Sequence, residues 1–144
     1  METGIRQNLA NMGFPPDAIE WLCDLWRVIQ AFDDLADGTP VPVDDVYAAG
    51  YAALIKMPGN PFFMSRSALL LPVMAVQFLK WQASDQAERT GNADARSYVW
   101  RAGYYDVVLA VAVLCFGPEA AARLPILQMY GETLDDYMGE FPNA

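Results

Sequence analysis

The sequence predicts an all-α protein, a single-domain antiparallel bundle of about five helices covering residues 1–144. Three observations predict it. Apolar residues recur at three- and four-residue spacing, no segment alternates apolar and polar residues in the strand period, and Gly and Pro interrupt the chain at intervals that suit whole helices. At 144 residues the chain can bury a sizeable core without disulfides or metal.

The first helix is expected from about Pro16 to Ala36, with Pro15 and Pro16 at its entry, Asp17 and Glu20 in its first turn, and Gly38 with Pro40 as its stop. The second starts at Val43 or Asp44, where Asp44 and Asp45 suit an N-cap and a first-turn charge, and runs to about Lys56. MPGNPFF, Met57 to Phe63, then reads as a rigid turn with an aromatic anchor. The third helix spans about Ser65 to Thr90, with Pro72 kinking it or marking its true first turn. The fourth covers about Ala93 to Phe116 and ends at Gly117-Pro118; the fifth covers about Glu119 to Phe141, with Pro125 splitting off a short first turn.

Composition narrows the function. There is no histidine, which removes serine-histidine and cysteine-histidine catalysis together with the commonest zinc ligand. Cys23 and Cys115 lie in apolar helical stretches and read as reduced core residues. The formal net charge of −9, with basic residues scattered singly, argues against a nucleic-acid partner. The longest apolar run, Val107 to Phe116, is half a bilayer span, and the N-terminal METGIRQNLANMG lacks a secretion signal. A cytoplasmic protein without membrane contact is expected at synthesis.

Acidic residues supply the candidate chemistry. Asp33, Asp34 and Asp37 occupy the last turn of the first helix, where the helix dipole opposes negative charge, so a cation, a neighbouring basic side chain or solvent must compensate them. Their DDxxD spacing resembles the first aspartate-rich motif of the all-helical trans-isoprenoid synthases; no basic cluster and no second metal motif accompanies it. Asp106 sits in WRAGYYDVVLAVAVLCFG, the most apolar stretch, and its wheel neighbours turn it inward. A buried carboxylate needs a partner, and Lys80 is the leading candidate for a buried ion pair. Glu132, Asp135 and Asp136 read as solvated surface, and Asp85 with Glu88 as an isolated DxxE pair. Trp26 and Trp81 lie off the core faces of their helices and are candidate interface residues.

Taken together, LWRVIQAFDDLADG, the MPGNPFF turn and WRAGYYD followed by LCFG resemble segments of small, uncharacterised all-helical proteins of tailed bacteriophages. The resemblance implies an infected bacterium as the setting and a virion component or assembly factor as the role. The leading expectation is therefore a non-enzymatic helical module that works through protein partners or self-association, with no cofactor. The alternative is a Mg²⁺- or Mn²⁺-dependent enzyme acting on a nucleotide or other diphosphate, with Asp33, Asp34 and Asp37 as ligands and Asp106 as a further ligand or base.

Overall fold

The computed structural model describes residues 2–142, and among them every regular element is helical. The chain divides into two compact units, Met1–Ser67 and Ala68–Ala144. The helices outnumber the five expected, for reasons that differ between the two units.

In the first unit, α1 (Glu2–Asn11) precedes α2 (Pro16–Asp37). The sequence pattern of α1 is thin: among its described side chains Ile5 and Leu9, one turn apart, are the ones that enter the core. α2 starts and stops where its punctuation requires. Pro15 is extended and Pro16 opens the helix, while Gly38 adopts a left-handed φ of 74° that lets the Thr39 N–H reach the Asp34 carbonyl at 2.9 Å. Its inward face buries Ala18, Trp21, Leu22 and Leu25 completely or nearly so.

α3 (Val43–Tyr51) runs on through a π-helical turn, Ala52–Lys56, into a single further turn, α4 (Met57–Gly59). The expected stop at Met57-Pro58-Gly59 is thus displaced to Asn60. Pro58 cannot donate to the Leu54 carbonyl and its ring crowds that oxygen; widening the preceding turn to the π register relieves the clash without ending the helix. Asn60 then fixes the turn from both sides. Its side-chain amide donates to the Asp17 carbonyl at 2.9 Å, and its Oδ1 accepts from the Phe63 N–H at 3.1 Å, as an N-cap does. Phe63 stacks on Trp21 with ring centroids 5.5 Å apart, so the aromatic anchor of MPGNPFF reaches the core of α2.

α5 (Pro61–Arg89) is 29 residues long and leaves the first unit for the second. Pro72 lies inside it without ending it. The Ala68 carbonyl deprived of its helical donor is on an exposed turn, since both Ala68 and Pro72 are exposed, and water can satisfy it.

In the second unit the expected fourth helix is two, α6 (Ala95–Trp100) and α7 (Gly103–Phe116). Asp94 opens α6 with a full capping box: its carboxylate accepts from the Arg96 and Ser97 N–H groups, and Ser97 Oγ accepts from the Asp94 N–H. The break precedes Gly103, where α7 comes against Gln77 of α5 so closely that an added Cβ would lie 3.0 Å from Gln77 Cγ. The expected fifth helix is interrupted at Pro125 and Gly131, giving α8 (Pro118–Arg123), a 3₁₀ turn at Leu127–Met129 and α9 (Leu134–Gly139), capped by Thr133. Val107, Val108, Val111, Ile126 and Tyr137 fill this unit's core.

Candidate functional site

Among the described residues no three Asp, Glu, Cys or His side chains are grouped as a ligand set. Asp34 instead forms one wall of a cleft of about 360 Å³ within the first unit, lined by Trp26, Arg27, Gln30 and Asp34 of α2, Val41 of the following loop and Asp45 of α3. Trp26, expected at an interface, is half-buried against this cleft. Asp33 and Asp37 lie on the same last turns, and that end of α2 carries no basic residue.

Asp106 meets the partner the sequence suggested, but at the surface. Lys80 Nζ donates to Asp106 Oδ2 at 2.5 Å, with the two side chains 30 % and 42 % exposed. The inward placement is corrected by the face that α7 actually buries: Tyr104, Val107, Val108, Val111 and Ala112 point into the core, and position 106 falls outside that arc. In a helix apolar on every side, wheel neighbours do not reveal which side is inside. With one oxygen held by an ammonium, Asp106 is poorly placed to act as a base. With Val76, Leu79, Ala83 and Trp100, Lys80 lines a shallow, mostly apolar hollow of about 240 Å³.

That hollow belongs to the most distinctive surface of the chain. Along the whole of α5 only Leu70, Gln77 and Ser84 are buried, a single line at seven-residue spacing, and two of the three are polar. Apolar side chains on the same helix face outward: Leu69, Leu71, Val76, Phe78 and Leu79 are each at least half exposed. Trp81, half-buried, meets the exposed Phe78 ring at 5.5 Å. By length and composition α5 could cross a membrane, with a mean hydropathy of 1.6 over its most apolar 18 residues, of which 11 % are buried.

Two polar assemblies escaped the sequence reading. In the first unit Asp24, 7 % exposed at its side chain, accepts from Lys56 Nζ at 3.0 Å. Asp24 stands between the buried Cys23 and Leu25, and the one available signal was its place on the inward arc of α2. In the second unit Arg101 lies among three glutamates, 3.4 Å from Glu132, 3.6 Å from Glu140 and 3.9 Å from Glu88, with its guanidinium 5.0 Å from the centre of the Tyr137 ring. Tyr137 is fully buried; its hydroxyl donates to Glu88 Oε2 at 2.9 Å and lies 2.7 Å from Ser97 Oγ. Tyr98 donates to the Glu132 carbonyl and Tyr130 to the Glu132 carboxylate. Glu132 is therefore part of a structured network and not the solvated patch expected.

This network shifts the titration of its members. Burial, with the Glu88 carboxylate beside it, pushes the Tyr137 hydroxyl up to about 12. Burial and the nearby Glu132 raise the Glu140 carboxyl above the usual glutamate range. Glu88, Ser97 and Tyr137 tie α5, α6 and α9 together. Comparison with protein-family models, with curated proteins and with solved structures finds no match to this chain.

Proposed function

We propose that this chain is a non-enzymatic helical interaction module, and that the apolar flanks of α5 are the surface through which it associates with a second copy of itself. The single observation that carries the reading is the inverted burial of α5, whose polar Gln77 and Ser84 are covered while Leu69, Leu71, Val76, Phe78 and Leu79 stand in solvent. So many exposed apolar side chains on one helix call for a covering partner. Association through it buries at least about 1,000 Å² in total. The setting implied by the tailed-phage resemblance, assembly of a particle from repeated subunits, suits such a role.

A bilayer is the weaker occupant for two physical reasons. The stretch of α5 without a charged residue, Ser67 to Leu79, rises about 20 Å at 1.5 Å per residue, well short of a hydrocarbon core of about 30 Å. A chain with a formal charge of −9 is also repelled by anionic lipid. Sedimentation equilibrium on the full chain tests the proposal. It predicts a concentration-dependent dimer or higher oligomer that is lost in Leu71→Glu with Val76→Glu; a monomer at all concentrations, or flotation with neutral vesicles in place of self-association, contradicts it.

A further inference from the structure

The acidic end of α2 has no part in that surface, and the cleft beside it has the features of a ligand site. Trp26, Gln30 and Asp34 follow one another at four-residue spacing, so a single row of α2 presents an indole, an amide and a carboxylate along one wall. Asp45, in the first turn of α3, brings a second carboxylate from the opposite side. Ala31, Val41 and Ala48 make the remaining lining apolar. The volume, about 360 Å³, lies at the small end of the range for organic ligands, roughly 300 to 1,000 Å³.

Charge decides the class of ligand. The two carboxylates, Asp34 and Asp45, outnumber the one guanidinium, Arg27, so the lining is net negative. The C-terminal end of the α2 dipole adds in the same direction. A hard divalent ion needs six or more oxygen ligands, whereas the cleft offers two carboxylates and no group of three acidic ligands occurs among the described residues. An ammonium attached to an apolar body needs less. One or two carboxylates, an aromatic ring and a small apolar floor suffice to hold it.

We propose that the cleft between α2 and α3 binds a small organic ammonium ion, its charge between Asp34 and Asp45 and its apolar body against Trp26. The site lies wholly within Met1–Ser67 and is independent of the association through α5.

Phenethylammonium is a suitable probe, with 2-phenylethanol as the neutral analogue of the same shape. Titration of the full chain, followed by calorimetry and by the Trp26 indole N–H resonance, is expected to show millimolar binding of the cation, about tenfold weaker or absent binding of the alcohol, and loss of affinity at high salt. Asp34→Asn and Asp45→Asn, each checked for helical content by circular dichroism, are expected to weaken the cation by about tenfold apiece. Trp26→Phe, which keeps an aromatic wall, serves if either Asn variant misfolds and should weaken binding by a smaller factor. Equal affinity for the alcohol, an Asp34→Asn with Asp45→Asn variant that binds as the parent does, or no shift of the Trp26 resonance at saturating probe would each overturn the proposal.

Discussion

α2 and α5 are both long helices rich in apolar residues, and they are held in place by opposite means. α2 turns Trp21, Leu22 and Leu25 into a core and keeps its charged residues, apart from the paired Asp24, on other faces. α5 buries a single line of three residues, one of which, Gln77, packs closely against Gly103, and it is also held by polar ties from Lys80 to Asp106 and from Glu88 to Tyr137. Apolar composition is therefore a poor guide to what is inside. Periodicity separates the two helices, because α2 has one apolar arc, whereas between Ala68 and Leu79 α5 places apolar side chains on several sides, the pattern of a helix that is to be covered on more than one of them.

The largest expected effect sharpens that contrast. Leu22→Ala, at a fully buried position of α2, should cost about 2 to 5 kcal/mol in urea unfolding, whereas Leu71→Ala on α5 should stay within about 0.5 kcal/mol for the monomer while weakening self-association. Equal losses from the two substitutions would erase the distinction. Next in size is Tyr137→Phe, which removes a buried hydroxyl shared by Ser97 and Glu88; a loss of about 1 to 2 kcal/mol is expected because both partners keep their desolvation.

Smaller still is the Lys80 and Asp106 pair, whose exposed geometry limits the coupling in a double-mutant cycle to below about 1 kcal/mol. A coupling of several kcal/mol would mean that the pair is effectively buried and that α5 is anchored there. The smallest effect concerns Glu140. Its folded-state pKa lies above the ordinary value, so the folded chain binds that proton more tightly than the unfolded one does, and stability falls as pH rises from the usual glutamate range through the raised value. Glu140→Gln should abolish this dependence and slightly raise the melting temperature at neutral pH. A lower melting temperature would show that attraction to Arg101 outweighs repulsion by Glu132.

The helical class and the ends of α2 could be read from the sequence because local punctuation decides them: Pro15-Pro16 opens the helix and the left-handed Gly38 closes it. The break before Gly103 could not, because it depends on which helix lies opposite: there Gln77 of α5 approaches closely. The same distinction holds for the sites. Lys80 could be named as the partner of Asp106 because it borders the apolar face of its own helix and a carboxylate in an apolar stretch needs a cation, but the depth of the pair depends on the face α7 buries, and a helix as uniformly apolar as α7 carries no record of that choice. The Arg101 network joins residues up to 52 positions apart, from Glu88 to Glu140, and no local spacing announces it.

The measurement that bears most directly on the central claim is sedimentation equilibrium of the wild-type chain beside Leu71→Glu with Val76→Glu. A wild type that associates and a variant that is a folded monomer of unchanged helical content is the predicted result. Two proteins that sediment alike as monomers would mean that the outward apolar face of α5 is not where this chain meets another copy.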